Sequence, residues 1–240
     1  MITKSVSSKT KSEPTLGTKN ENQVFTAPTT QTTQDVELNP KNYEIIFGEH
    51  SNCKLILAIL SQDFLQVQSF LRSDKNKCLE EKDSLGNSPL MYAAVLNTHQ
   101  LLRELLLATR QWVNVPNIYG QTPLMASLKN EMTLSMIMQN SPNVNARDTA
   151  GNTALSIAVM NRNVSVSKRL VQHGASTSFL YEGENNILQQ AVINGDYQMV
   201  SMLLKNLPNI DMSHRNSAGK TAFELAEKDS IKNLLAQRNQ

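Results

Sequence analysis

Residues 86–94 read Gly-Asn-Ser-Pro-Leu-Met-Tyr-Ala-Ala, and close variants of this stretch return three times further along the chain. The variants begin at Gly120 (Gly-Gln-Thr-Pro-Leu-Met-Ala-Ser), at Gly151 (Gly-Asn-Thr-Ala-Leu-Ser-Ile-Ala) and at Gly219 (Gly-Lys-Thr-Ala-Phe-Glu-Leu-Ala). The intervals between the four glycines are about 34, 31 and 68 residues, and the last interval equals two periods. One structural unit is therefore written several times, and the fold follows from that unit.

The repeated stretch predicts a tight turn followed by the first turn of a helix. Gly accepts the positive φ of a turn without steric cost. Pro89 and Pro123 suit the first helical position, where φ is already correct and no N–H is needed. Thr221 and Glu224 have the spacing of a capping box. The helix caps are predicted at the hydroxyl residue of each copy: Ser88, Thr122, Thr153 and Thr221.

Two further positions of the stretch predict packing between helices. The large apolar residue of the first turn is expected to be buried, and one turn later a small residue lets a neighbouring helix approach closely. The large residues are Leu90, Leu124, Leu155 and Phe223, and the small ones are Ala93, Ser127, Ala158 and Ala226.

The stretch resembles the Thr-Pro-Leu-His-x-Ala signature of the ankyrin repeat, a unit of about 33 residues. Every copy departs from that signature at the His, where Met91, Met125, Ser156 and Glu224 stand. The resemblance implies an all-α ankyrin-repeat solenoid, in which stacked helix-turn-helix units carry short β-turn fingers.

The resemblance divides residues 43–236 into six predicted units, about 51–82, 83–116, 117–147, 148–179, 180–215 and 216–236. The first unit lacks the Gly-Thr-Pro start but keeps Leu55 and Ala58 at the Leu and Ala positions. In the fifth unit, alignment on Ala191 places Glu184 where Gly is usual, one residue after Gly183. A Val-Asn pair closes the second and third units, at residues 113–114 and 144–145.

Residues 1–42 form a Ser/Thr-rich segment in which Val24 and Phe25 are almost the only large apolar residues. Such a composition buries too little surface to offset the entropy of ordering, so we expect a disordered N-terminal tail. The tail could be phosphorylated, carry a docking motif around Val24 and Phe25, act as an address for transport, or simply be solvated.

The composition points to an intracellular protein without a nucleic-acid surface. A net charge of +2 offers no broad basic patch, and two cysteines are too few for a disulfide framework. The N-terminus has no apolar signal core, and the longest aliphatic run covers about six residues against the ~20 that span a bilayer. We expect a cytoplasmic monomer that binds no nucleic acid and has no membrane span.

No motif for catalysis, cofactor binding or metal binding stands out. A phosphate loop, a His-Glu-x-x-His pair and a Cys-x-x-Cys cluster are all missing from the sequence. Cys53 and Cys78 are too far apart and have no His at ligand spacing, and the four histidines are scattered. We therefore predict that the protein is not an enzyme and has no catalytic residue, cofactor or metal.

The resemblance instead implies binding of another protein by the finger tips and first helices of a concave face. Apolar and aromatic residues at a tip, such as Leu85, Ile118, Tyr119 and Tyr181, are the kind that anchor interfaces. The predicted protein-binding residues flank the turn glycines: Ser84, Leu85, Asn87, Ile118, Tyr119, Gln121, Thr149, Ala150, Asn152, Tyr181 and Glu182.

Two narrower roles stay open beside the general one. The Asn-, Lys-, Gln- and Ser-rich composition also fits a host-directed effector of an intracellular bacterium, delivered into the host cell. A regulatory inhibitor that masks a partner's surface is the other alternative, because some ankyrin proteins act in that way.

Overall fold

A computed structural model describes residue 48 and residues 53–73, 81–108 and 110–238, all of which belong to one compact unit, Leu38–Gln240. The predicted tail, residues 1–42, and Cys78 lie outside the described residues.

Twelve α-helices account for most of the described chain, with two 3-10 turns, Arg110–Asn114 and Glu182–Glu184. In the part of the chain that the structure describes, the only β-pairing is one antiparallel bridge between Tyr181 and Asn185. The α-helices in chain order are α1 Lys54–Leu60, α2 Phe64–Ser73, α3 Pro89–Val95, α4 His99–Ala108, α5 Pro123–Ala126, α6 Glu131–Met138, α7 Ala154–Met160, α8 Val164–Gln172, α9 Ile187–Ile193, α10 Tyr197–Asn206, α11 Ala222–Leu225 and α12 Asp229–Arg238.

The helices pair into six helix-turn-helix units that stack on one another. The odd-numbered helix of each unit contacts its own even-numbered partner and the odd-numbered helix of the next unit, from α1 with α3 to α9 with α11. Each unit therefore buries its apolar face mainly on its neighbours, as a repeat array does. The all-α helical-repeat prediction is confirmed.

The predicted helix starts are confirmed in detail. The side chains of Ser88, Thr122, Thr153 and Thr221 each accept a hydrogen bond from the backbone N–H three residues later. Capping boxes form at Thr221 and Glu224 as predicted, and also at Thr153 and Asn186, where we did not anticipate them. These caps satisfy N–H groups that a helix start leaves unpaired.

The predicted core positions are buried, with one exception. Leu90, Leu124 and Leu155 are at most 2% exposed, and the four small residues one turn later are buried as well. Phe223, which we expected in the core, is instead 45% exposed. Its helix α11 lies in the last described unit, so no further odd-numbered helix covers it.

The irregular fifth unit follows the alignment on Ala191. Asn186 caps α9, Ala191 is fully buried, and Glu184 adopts a φ of 56°, the left-handed conformation of the glycines in other units. Gly183 before it is also left-handed, with a φ of 70°.

Candidate functional site

A finger precedes each odd-numbered helix from α3 onward and takes the number of its unit, so finger two precedes α3. Four of these fingers are built around an Asp or Asn side chain. In finger two, Oδ1 of Asp83 accepts hydrogen bonds from the backbone N–H groups of Leu85 (3.0 Å) and Asn87 (2.7 Å). The same pair of bonds, to the second and fourth residues on, is made in finger three by Asn117, in finger four by Asp148 and in finger six by Asn216. These side chains fix the turn and leave its tip exposed.

Backbone hydrogen bonds join fingers two to four to one another and finger five to finger six, and we call the array of fingers the finger row. The N–H of Ile118 donates to the carbonyl of Leu85 (3.0 Å), and the N–H of Thr149 donates to that of Tyr119 (2.9 Å). Ser217 donates to Gly183 in the same way (2.9 Å). Fingers two, three and four are therefore one rigid group.

Below the tips, buried polar side chains connect fingers two and three. Nδ2 of Asn117 donates to Oδ1 of Asn87 (2.9 Å) and to Oε1 of Gln121 (2.8 Å). Asp83 Oδ2 accepts from Nδ2 of Asn87 (2.8 Å) and from the hydroxyl of Tyr92 (2.9 Å). Burial, and then the Asp83 carboxylate, raise the pKa of Tyr92 above its usual value. This network stabilises the base of the fingers rather than presenting groups to a partner.

The predicted site residues fall into three groups of different exposure. Ser84, Ile118, Thr149, Ala150 and Glu182 are exposed, and Leu85, Tyr119, Asn152 and Tyr181 are half-buried. Asn87 and Gln121 are not at an exposed tip as we expected, because they are 0% and 1% exposed. Their side chains belong to the network at the finger base.

Tyr181 also differs from its predicted place at a tip. Its N–H pairs with the Asn185 carbonyl (2.8 Å), which puts Tyr181 at the first position of finger five, where the other fingers have Asp or Asn. Its ring packs edge-on against Phe179, with centroids 5.2 Å apart, and its hydroxyl donates to the Ser156 carbonyl (3.4 Å). Burial raises the pKa of Tyr181 above the usual range. The ring therefore anchors finger five to unit four.

The first residues of the fingers were missed by the sequence reasoning, although a signal was present. Asp or Asn stands three residues before each well-aligned turn glycine, at Asp83, Asn117, Asp148 and Asn216. A short acceptor side chain at that spacing is typical of a turn in which the side chain bonds its own backbone.

The described residues offer no metal site and no membrane-spanning helix. Within them, no group of three or more His, Cys, Asp or Glu side chains is placed to hold a metal ion, and no helix is long and apolar enough to cross a bilayer. Cys53 is buried, and burial raises the pKa of its thiol to about 12. The thiol is therefore protonated at neutral pH and is a poor nucleophile.

The family model described as ankyrin repeats in three copies matches residues 55–148 and 129–216. The chain belongs to the ankyrin repeat family. Ankyrin repeats are in general protein–protein interaction modules, and no catalytic family is indicated for this ankyrin chain.

Known proteins similar to the ankyrin chain share its repeats at low identity. An ankyrin repeat protein of fowlpox virus (strain NVSL) is 27% identical over 195 residues, which cover 77% of this chain and 56% of that protein. The ankyrin chain thus spans little more than half the length of this relative. A Saccharomyces cerevisiae protein named as a 26S proteasome regulatory subunit is 28% identical over 160 residues, covering 64% of this chain and 69% of that protein.

A solved ankyrin repeat structure supports the fold. The crystal structure of the ankyrin repeat protein EF0377 matches with a TM-score of 0.67 at 23% identity, over 79% of this chain and 99% of that one. The ankyrin chain therefore has the fold of a known repeat array.

Proposed function

We propose that this ankyrin chain is a protein–protein interaction scaffold that captures a partner protein through the apolar tips of fingers two and three. The observation that carries the proposal is Ile118, whose side chain is 60% exposed at the tip of finger three. Folding does not require an apolar group at that position, and exposed apolar groups are common anchors of interfaces.

The tip patch consists of Ile118 with its half-buried neighbours Leu85 and Tyr119. The backbone bonds from Ile118 to Leu85 and from Thr149 to Tyr119 hold these residues in place before any partner arrives. A pre-organised apolar patch loses little conformational entropy on binding, so more of its contact energy is available as affinity.

The test compares the tip of finger three with an apolar residue that is at least as exposed on a helix. A partner is captured with the purified full chain, identified by mass spectrometry, purified, and titrated against the variants. We expect the double variant Ile118→Ala and Tyr119→Ala to weaken binding at least tenfold, on the order of an interface anchor. Leu107, 68% exposed on α4, provides the control, and Leu107→Ala should leave the affinity unchanged.

The thermal midpoint and helical circular dichroism of both variants should stay close to those of the parent chain. Equal affinities for the tip variant and the Leu107 variant would reject the tip patch as the binding surface. A collapse of the fold in the tip variant would show that Ile118 and Tyr119 are part of the core.

A narrower candidate is a host-directed effector of an intracellular bacterium, and the Asn-, Lys-, Gln- and Ser-rich composition favours it. The composition of residues 1–42 also fits an address for transport. A translocation assay that compares the full chain with a chain lacking those residues tests this role. Equal delivery of both forms would contradict the idea that residues 1–42 are a transport address. Delivery of neither form would contradict the effector role.

In the general proposal the chain works as a cytoplasmic monomer, which equilibrium sedimentation and cell fractionation would check. Masking of a partner's surface is a second mode that the same scaffold would support. Competition between the chain and a second ligand of the captured partner would reveal it.

A further inference from the structure

The finger row is interrupted between fingers four and five. By the register of the other fingers, the N–H of Glu182 should donate to the carbonyl of Ala150, and this hydrogen bond is not formed among the described residues. Both residues are exposed, and neither this N–H nor this carbonyl has a hydrogen-bond partner within the described residues. Finger four therefore has one edge without a neighbouring backbone.

The turn glycines show the same interruption. A Cβ added at Gly120 of finger three would lie 2.9 Å from Cα of Asp148 in finger four, because those fingers touch. A Cβ added at Gly151 of finger four would meet no atom within 4 Å. There is consequently open space beside finger four where finger five would otherwise pack.

The cause lies in how finger five begins. Tyr181 replaces the Asp or Asn that shapes the other fingers, and its ring is held against Phe179 in unit four. Two successive left-handed residues, Gly183 and Glu184, then redirect the backbone, and Leu180 before them is 56% exposed. Finger five keeps its bond to finger six, through Gly183 and Ser217, and loses the one to finger four.

Finger five carries two exposed acidic residues. Glu182 and Glu184 are both exposed, and neither forms an ion pair within the described chain. The nearest cation in sequence on finger four, Arg147, donates from Nη1 to the Gly151 carbonyl of its own finger (3.4 Å). The two carboxylates are therefore available to a positively charged group from outside.

We propose that the opening between fingers four and five binds an extended segment of a partner protein that carries Lys or Arg side chains. The segment's backbone pairs with the Ala150 carbonyl and the Glu182 N–H, and its cationic side chains approach Glu182 and Glu184. Addition of a strand to an exposed backbone edge is a common way to bind a peptide, with main-chain bonds giving affinity and side chains giving specificity.

This inference rests on the proposed function only in one respect, which is that both binding positions belong to the finger row. It is separate from the tip patch of Leu85, Ile118 and Tyr119, which lies on fingers two and three. The Ile118→Ala variant should therefore bind a basic segment as the parent chain does. If the tip patch proved not to bind a partner, the prediction for the opening would be unchanged.

The test uses the full chain, labelled with ¹⁵N, and a capped peptide of alternating lysine and threonine about eight residues long. We expect amide shifts concentrated at residues 149–152 and at Glu182–Glu184, and weaker or no binding of the matched glutamate–threonine peptide. Replacing both carboxylates, Glu182→Gln with Glu184→Gln, should weaken the lysine peptide about fivefold, because both ion pairs are exposed. Glu227→Gln, which removes an exposed carboxylate from the sixth unit, is the matched control and should have no effect.

A second pair of variants tests the backbone bond. Glu182→Pro removes the N–H, and the preceding Tyr181, with φ −88° and ψ −180°, already has the extended conformation that a following proline requires. Glu182→Ala removes the same carboxylate but keeps the N–H, so binding weaker by a factor of about three in Glu182→Pro than in Glu182→Ala supports the pairing.

Three results would overturn the inference. The first is a set of shifts spread over acidic residues of all units, and the second is equal binding of the lysine and glutamate peptides. The third is a proline variant that binds as well as the alanine variant.

Discussion

A comparison of finger five with fingers two to four shows that a repeat unit can keep its helices while its finger changes. In the first group an Asp or Asn opens each finger, and the tips are joined by backbone bonds. In finger five Tyr181 takes that position and the bond to finger four is lost. Even so, α9 still contacts α7, so the helical stack continues across the interruption. The helices hold the array together, and the first residue of each finger determines the surface.

Units five and six remain firmly joined beyond the interruption. Nε2 of Gln189, a side chain with no exposed surface, donates to the carbonyls of His214 (2.9 Å) and Lys220 (2.8 Å) in the next unit. The Nδ2 of Asn216 also donates to Oδ1 of Asn185 (2.9 Å). The interruption is therefore local to one finger pair.

The largest expected effect comes from removing the side chain that builds finger three. Asn117→Ala should lower the free energy of unfolding by about 3 kcal/mol, because four hydrogen bonds are lost. The buried side chains of Asn87 and Gln121 each lose one bond, and two backbone N–H groups of finger three lose their acceptor. Asn216→Ala, at the half-exposed equivalent in finger six, should cost about 1 kcal/mol since water can replace the lost bonds. Urea unfolding of both variants measures the difference, and equal losses would mean that the two fingers are equivalent.

The turn glycines test the opening itself. Gly120 and Gly151 have φ values of 73° and 82°, so alanine is strained at both by about 1 kcal/mol. At Gly120 the new Cβ also meets the backbone of Asp148, whereas at Gly151 it meets nothing. Gly120→Ala should therefore destabilise the chain by about 2 kcal/mol, and Gly151→Ala by about half of that. Thermal unfolding that ranks the two in the opposite order would argue against an open space beside finger four.

Alkaline unfolding should report on Tyr92 in finger two and Tyr181 in finger five. Burial raises the pKa of both hydroxyls above the ordinary value of 10.0, with Asp83 adding to the effect at Tyr92. A raised pKa stabilises the folded state fully below pH 10, and this stability is lost as the pH rises through the folded pKa. We expect the free energy of unfolding to fall above pH 10 by about 1.4 kcal/mol per pH unit for each tyrosine.

Tyr92→Phe and Tyr181→Phe should each reduce the pH dependence of the free energy of unfolding by the contribution of one tyrosine. The Cys53 thiol, with its pKa raised from 9.0 to about 12, adds a similar slope that begins near pH 9. An unchanged slope in Tyr181→Phe would show that its hydroxyl is solvated, and would contradict its part-buried hydrogen bond to the Ser156 carbonyl.

The smallest expected effect is a gain in stability at Glu184. Its φ of 56° is one that glycine adopts without strain, so Glu184→Gly should stabilise the chain by about 0.5 kcal/mol. Glu182→Gly is the control and should destabilise slightly, because Glu182 is not among the left-handed residues. Differential scanning calorimetry of both variants measures the two changes. A loss of stability in Glu184→Gly would contradict the claim that the backbone of Glu184 is strained.

The sequence predicted the fold well, because the repeated stretch encodes turn, cap and first helical turn in adjacent residues. Even the displaced fifth unit could be aligned, since a small residue was needed at Ala191. The exposure of individual finger residues was harder to predict. Asn87 and Gln121 were expected at a tip, but their amide groups reach the base of the neighbouring finger, a contact between units that no single repeat reveals.

The same reason explains the other errors. Phe223 occupies a core position of the repeat, yet its burial depends on a following unit. Tyr181 was read as a surface aromatic, whereas its packing on Phe179 depends on the path of the connection between units four and five. Local patterns determine each unit, and contacts between units determine what remains exposed.

Native-state hydrogen exchange of four equivalent amides tests the interrupted finger row most directly. The N–H groups of Ile118, Thr149 and Ser217 each donate to the preceding finger, and the N–H of Glu182 does not. We predict slow exchange at the first three amides and exchange at Glu182 close to the rate of an unstructured chain. Protection of Glu182 equal to that of Thr149 would contradict the account, because it would show that fingers four and five are joined like the rest.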